Sequence, residues 1–569
     1  MEGRPLVAGL LAIAVVATAC GSPDRAKPAA TAEPETPVAG GRIVEGSFAD
    51  VTTLNPILSN DAASSTVWAK LYDPLYQADP KTGELRPNLG VWTVSGDGLV
   101  YRWTIDARAS WSDGMPITGR DYATAAMLVA KSKKTLRKAY FEDIVGWRDY
   151  VDGQAATISG IAIDPADPKK FSVTFGRVFC PALVNAFGAA AGPLPAHVWG
   201  KYTAAGSRDE VDRAEENLAP RVTSGPFVLK EWRKGDQVTL DRNVVYWKGA
   251  PLVEQYVLKV VSDTTVQLAQ LKKGELSLAA IDPKDLAAVQ SQDQLRVIKL
   301  QSLAYTYIGW NVRSASAPAL GDRRIRQALA YGLDMDAVVL TVLLGEGTKM
   351  VAHHPPVSWA VAPPSSLNQY PYNRKKAEQL IQSAGFSRGP DGFYAKDGKT
   401  LGFTIVANSA NKTRETLMQT AAEQYRAIGV RVTPKLEVYE AMVDKLATAS
   451  PEIEAWIVGW SLNLEPDPYA IWHSSQMADP AKKTTGYNFG GYTAPGLDKL
   501  IEDARTGDCS HAARKRSYEA FNKILNEDQP YDFGFSPNTL LVVPKGMREF
   551  DPGSFGIAWN IEKWWYRRP

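Results

Sequence analysis

Between residues 374 and 460 the hydrophobic positions switch between two periods. In RKKAEQLIQSAG (374–385) Ala377, Leu380, Ile381 and Ala384 recur on one helical stripe that Gly385 ends. LGFTIVA (401–407) has the two-residue period of a strand, and 412–428 carries Leu417, Ala421, Tyr425 and Ile428 at helical spacing before Gly429. VRVTPKLEV (430–438) reads as a strand, 439–448 as a helix, and IEAWIVG (453–459) as a buried strand. This alternation predicts right-handed crossovers and a mostly parallel sheet, an α/β arrangement whose ligands bind beyond the carboxyl ends of the strands. The segment leaving the last strand, Gly459 to Pro468, is therefore the first place to look for a site.

The first half has a different grain. Residues 85–118 are short alternating runs broken by Gly-Asp-Gly and Ser-Asp-Gly, a hairpin pattern. Thr118 is placed to cap a helix over about 119–132. A second hairpin is expected over 224–243, turning at Lys234-Gly235-Asp236.

The N-terminus stands apart. Residues 6–19 form a fourteen-residue apolar run behind Arg4, too short for a bilayer core that needs about 20 residues, and fit a secretion signal. Ala17-Thr18-Ala19-Cys20-Gly21 resembles a bacterial lipobox, which would make Cys20 the lipidated first residue of the mature chain; cleavage of an ordinary signal near Ala19 is the alternative. The Pro/Ala/Thr/Glu-rich stretch 21–41 predicts a disordered tether. The expected product is extracytoplasmic and held to the membrane only by its lipid.

Composition narrows the function. The 569 residues are 45% hydrophobic and 22% charged with a net charge of +2, a globular composition too balanced to suggest a nucleic-acid partner. No nucleotide-binding, zinc-protease or serine-hydrolase signature occurs, so no enzyme activity and no cofactor are expected. A glycosidase pair is excluded because Glu465 and Asp467 share one loop and cannot flank a substrate. His353 and His354 are adjacent without Cys or carboxylate at ligand spacing, so no metal site is expected. Cys180 and Cys509 could pair in an oxidising compartment, and the sequence leaves that open.

The order of motifs then becomes informative. Trp111-Ser112-Asp113-Gly114-Met115-Pro116-Ile117-Thr118 with Asp121 resembles the hallmark of family 5 extracellular solute-binding proteins, the peptide-binding components of ABC importers. The likeness continues through Leu71–Leu75, Gly225–Phe227, Arg242-Asn243 with Tyr246-Trp247, Asp322–Ala328, Gly459-Trp460, Asp467-Pro468, and Tyr487-Asn488 with Gly491-Tyr492. It implies a two-lobed fold of the periplasmic-binding-protein type (class II) with an extra subdomain in the first lobe. By analogy lobe I takes 42–66, 200–302 and 533–569, the extra subdomain 67–199, and lobe II 303–532. The hinge would cross near 304–311 and 532–543.

The resemblance also implies a cleft site. Trp460 and the loop after it would face the ligand, with Ser461, Asn463, Glu465, Asp467, Trp472, Tyr305, Tyr307 and Asn488 as further contacts. Asn463 stands where family members carry the acid that pairs with a peptide's α-ammonium, leaving Glu465 and Asp467 as the nearest carboxylates. The expected partners are a peptide and permease subunits, with the protein itself a monomer. An oligosaccharide is the alternative ligand, since Trp faces stack on sugars, and a signalling lipoprotein that lost transport is the alternative role.

Overall fold

In a computed structural model, residues 36–188, 191–204, 207, 209–409, 411–482 and 484–567 are described. Cys20, the apolar run before it and most of the tether lie outside them. Among the described residues no helix is long and apolar enough to cross a membrane.

The first lobe contains two four-stranded sheets. Arg42–Ser47 pairs in parallel with Gln255–Val260, which continues antiparallel through Gln237–Arg242 to Phe227–Arg233. The last two strands are the expected 224–243 hairpin, and Gly235 supplies its left-handed turn at φ +74°. Gly90–Val94, Val100–Ile105, Lys170–Thr174 and Ile161–Ile163 form an antiparallel sheet of their own. Beside it lies the helix Gly119–Lys131, whose start is a capping box. Thr118 N–H donates to Asp121 at 2.7 Å, the Thr118 hydroxyl oxygen accepts from Arg120 N–H, and Asp121 also accepts from Ala196 N–H at 2.8 Å. The signature tryptophan Trp111 is buried in the core that runs from Ile43 through Tyr122 and Phe179 to Trp564. Burial of each such aromatic contributes roughly 2–3 kcal/mol. The strongest motif of the sequence thus holds the fold together here.

The second lobe contains a mixed sheet. Its strands are β1 (Ala304–Trp310), β2 (Gly402–Asn408), β3 (Arg431–Glu437), β4 (Ala455–Ser461) and β5 (Tyr531–Pro544), in the order β5-β1-β4-β2-β3. Helices α1 (Lys412–Ala427) and α2 (Tyr439–Ala447) connect β2 to β3 and β3 to β4, and α3 (Leu497–Thr506) and α4 (His511–Asp528) follow β4. Only β2–β3 and β2–β4 are parallel; β4–β1 and β1–β5 are antiparallel. The mostly parallel sheet expected from the helix–strand alternation holds for the crossover half alone. The other two strands carry the chain in from and back to the neighbouring lobe and need no crossover helix to set their direction. Strand alternation sorts the side chains: Ile308 and Trp310 enter a core with Ile405, Leu417 and Tyr425, while Tyr305 and Tyr307 enter an aromatic one with Trp456, Trp472 and Tyr531.

β5 belongs to both lobes. Tyr531, Asp532 and Phe535 pair with β1, whereas Asn538 to Pro544 pair with Leu295–Gln301. Gly534 marks the irregularity at φ +59°, where a Cβ would stand 2.2 Å from the Thr306 carbonyl oxygen, so only glycine fits. The other crossing, Ser302-Leu303, is hydrogen-bonded to it: Ser302 Oγ donates to Pro537 O at 2.8 Å and Ser536 Oγ to Ser302 O at 3.2 Å.

Candidate functional site

The carboxyl ends of β2, β3 and β4 lie side by side, and the residues leaving them form the candidate site. Trp460, next to last in β4, is half-buried, its ring stacked on Tyr307 (centroids 6.2 Å, 11°) and Phe489 (5.4 Å, 25°), with Tyr487 edge-on at 5.8 Å. Tyr487 is exposed, as are Ser461 and Asn463. The structure therefore brings Trp460, Ser461 and Asn463 to one open edge.

Four other expected contacts are packed beneath that edge. Tyr305, Tyr307 and Trp472 are buried in the aromatic core. The Tyr305 hydroxyl and Trp472 Nε1 both reach His353 Nδ1, at 2.9 and 3.1 Å, so this nitrogen accepts and burial keeps the imidazole neutral. Asn488 is buried as a turn brace: its amide donates to Tyr492 O at 2.9 Å and its carbonyl accepts from Tyr492 N–H at 3.1 Å.

The acids of the loop are held by cations of their own lobe. Glu465 is buried against Arg514, whose Nη1 lies 3.2 Å from Oε2 while Nη2 bonds Oε1, a fork-to-fork pair. Burial pushes the Glu465 carboxyl up, and the guanidinium works against that shift. Asp467 meets Arg505 Nε at 2.8 Å and accepts from Tyr469 N–H at 3.0 Å, so it also starts a turn. Burial pushes its carboxyl up too, opposed by Arg505. Between them, the Pro466 carbonyl accepts from His354 Nε2–H at 2.9 Å, and Asn522 Nδ2 donates to His354 Nδ1 at 2.9 Å, which fixes the tautomer. Three consecutive residues of the loop are thus each tied down. Leu464 is left to reach the first lobe, where a cavity of about 350 Å³ is lined by Lys70, Asp73, Tyr76, Gln77, Trp559 and Leu464 itself.

A residue that sequence reasoning passed over completes the edge. Arg414 stands in the first turn of α1, its guanidinium donating to Asn408 Oδ1 at 2.8 Å and lying 5.9 Å from the Tyr439 ring centroid. A Cβ at Gly459 would stand 2.9 Å from the Tyr305 carbonyl oxygen and 3.2 Å from Arg414 Nη2. Burial disfavours the Arg414 charge, and no acidic side chain among the described residues pairs with it. Leu436, Val438 and Tyr439 beside it are exposed apolar side chains. A signal for Arg414 did exist: a cation in the first turn of a helix faces the positive end of the dipole and is unfavourable without another role. Among the described residues no group of three or more His, Cys, Asp or Glu could hold a metal ion.

The edge can chemically offer aromatic faces, neutral hydrogen-bonding groups and the Arg414 guanidinium, which no acid among the described residues pairs; Glu437, at the end of β3, is held by Lys435 and Lys445. Comparison with known proteins agrees with a binding role. The chain is 29% identical over 562 residues to the oligopeptide-binding protein AppA of Bacillus subtilis (strain 168), covering 98% of this chain and 97% of that one. The solved structure of B. subtilis AppA with a nonapeptide superposes with a TM-score of 0.76 at 28% identity, covering 94% and 100% of the two chains. NikZ from Campylobacter jejuni, solved with Ni(L-His), gives 0.75 at 25% identity over 92% and 99%. A profile described as "Bacterial extracellular solute-binding proteins, family 5 Middle" matches residues 87–481, from the first hairpins to beyond Trp460 and its loop. The chain belongs to the bacterial extracellular solute-binding proteins of family 5.

Proposed function

We propose that the protein captures peptides between its lobes and delivers them to the permease of an ABC importer, tethered outside the membrane by a lipid on Cys20. The observation that carries the peptide reading is the edge of the second lobe, with an acid-free, half-buried guanidinium at Arg414 beside the aromatic faces of Trp460, Tyr439 and Tyr487. A guanidinium that has lost water and has no acid gains a charge-assisted bond from an incoming carboxylate. Aromatic faces accept varied side chains without demanding one. The full-length likeness to an oligopeptide-binding protein supports the same ligand class.

Lobe I is then 42–66, 200–302 and 533–569 with 67–199 as its extra subdomain, and lobe II is 303–532. The paired crossings at 302–303 and 536–538 act as the hinge about which ligand favours closure. Mass spectrometry of whatever co-purifies with the mature chain tests the ligand class. Peptides are the expected result; a sugar or a metal chelate in their place overturns it. For the anchor, Cys20→Ala should release the protein from membranes, since two acyl chains suffice for stable attachment. Wild-type protein found wholly in the medium, with another residue at its N-terminus, would refute the lipid.

A further inference from the structure

Cys180 and Cys509 are bonded to each other across 329 residues, with their Cα atoms 5.1 Å apart. On the lobe division proposed above they belong to different lobes. Cys180 follows Phe179, which is buried in the core of the first lobe, while Cys509 lies in the turn between α3 and α4, which pack Ala504 and Tyr518 against Trp359 in the second. The bridge is one part of a larger junction. Cys180 N–H donates to Arg505 O at 2.7 Å, and the Arg505 guanidinium lies 5.4 Å from the Phe179 ring and 3.8 Å from the Tyr469 ring. That same guanidinium holds Asp467 of the loop that follows Trp460. The bridge therefore clamps first-lobe backbone onto the far end of the candidate binding loop.

We infer that Cys180–Cys509 is a strap that keeps the lobes closed, and that free exchange of ligand requires its reduction. The argument is one of constraint. Two adjacent crossings, hydrogen-bonded to each other at Ser302 and Ser536–Pro537, leave the lobes one easy rotation about the line through them. The cysteines lie on neither crossing strand, so their bond is a third covalent link that opposes this rotation. A disulfide cannot span Cα atoms more than about 7 Å apart, so it tolerates only slight parting of the rims. Cys509 is exposed and Cys180 half-buried, which leaves the Cys509 sulfur open to attack. A dithiol reductant would add one thiolate to Cys509 Sγ, breaking the S–S bond and expelling Cys180 as a thiolate that takes up a proton. Its second thiol then displaces Cys509, so two electrons and two protons pass to the protein and the reductant leaves as a disulfide.

The test uses the mature chain, freed of ligand by dialysis from guanidinium without reductant and then refolded. Small-angle scattering should give the oxidised, ligand-free protein the compact radius of the loaded form. The same sample treated with a phosphine reductant, and the Cys180→Ser/Cys509→Ser variant, should both expand. Exchange of a fluorescein-labelled nonapeptide pool should be slower by about tenfold or more in the oxidised protein, an effect on dissociation. If oxidised protein expands as far as reduced, or if neither reduced wild type nor the variant expands, the strap is refuted. Should the variant misfold, the reduced wild type decides alone. The strap rests on the cleft reading only for where ligand is held. Protein that expands on reduction yet ignores nonapeptides keeps the strap and rejects the peptide assignment.

Discussion

Two segments frame the open edge of the second lobe, and they are built in opposite ways. After β4, the loop 461–469 carries two acids, and each is matched by a guanidinium of the same lobe, with His354 fixing the carbonyl between them. After β2, the turn into α1 carries two cations: Lys412 is answered by Glu415 at 2.7 Å, whereas no acid among the described residues pairs with Arg414. The first segment is thus electrostatically complete in itself and serves as a rigid platform. The second is incomplete, and incompleteness in a half-buried charge is what a ligand can relieve. The acids that the sequence offers as the ligand's anchors are each held by an arginine, whereas Arg414, on the other side of Trp460, has no acid among the described residues.

The largest expected effect is on the complete side. Arg514→Met leaves Glu465 buried without its partner, a loss of about 3–5 kcal/mol. Adding Glu465→Gln should recover most of it, because the uncompensated charge is then gone. Urea unfolding followed by tryptophan fluorescence measures both. A single variant that unfolds like wild type would mean that the loop is not held by this pair.

Next comes a pH effect confined to the same loop. Burial lowers His354 to about 4, so the unfolded chain binds its proton first as pH falls. The sign follows from linkage: the stability that neutral His354 contributes is whole above about 6.5 and is lost between there and about 4. That window corresponds to about 3 kcal/mol at 1.36 kcal/mol per unit. His354→Gln, which can still donate to Pro466 O, should be less acid-sensitive than wild type by that amount. Asp532, whose buried carboxyl is pushed up to about 6, acts in the opposite direction in both proteins and drops out of the difference. Equal pH slopes in the two proteins would show that His354 is not the titrating tie.

On the incomplete side the readout is affinity. Arg414→Gln should weaken peptides with a free C-terminus by about 2 kcal/mol, roughly 30-fold. It should leave C-terminally amidated peptides nearly unaffected, whereas Trp460→Ala should weaken both. Calorimetry with a matched acid and amide pair separates these cases. Loss of both ligands to the same degree in Arg414→Gln would reduce Arg414 to a scaffold residue.

Much of this was legible beforehand, for identifiable reasons. β2, α1, β3, α2 and β4 announced themselves because crossover strands and amphipathic helices bury regular stripes, and Thr118 was readable as a cap because capping is local. The direction of β1 and β5 was hidden, since strand pairing across lobes leaves no periodic trace in either segment. Cys180 and Cys509 stand out as possible partners, but a separation of 329 positions leaves their pairing open in the sequence. Tyr305, Tyr307 and Trp472 looked like ligand surfaces because core aromatics and cleft aromatics share a composition and differ only in burial. The partners of Glu465 and Asp467 come from α3 and α4, some 40 to 50 residues downstream, at a spacing no motif records.

The smallest expected effect is the most discriminating. Asn463 is exposed next to Trp460, at the position where the family resemblance places an acid, and the acids after it are engaged by Arg514 and Arg505. If the loop is only a platform, then restoring a carboxylate there supplies an anchor that the protein lacks. Asn463→Asp should strengthen binding of a peptide with a free α-ammonium over its N-acetylated form by under about 1 kcal/mol, the scale of an exposed ion pair. The gain should shrink as salt is raised past about 0.15 M, where screening acts within about 8 Å. It should be absent for the acetylated peptide at any ionic strength. A gain that survives high salt would instead mean that the cleft desolvates position 463. No gain at either salt, with Glu465→Gln or Asp467→Asn then weakening the free-amine peptide alone, would return the ammonium to the loop's own acids.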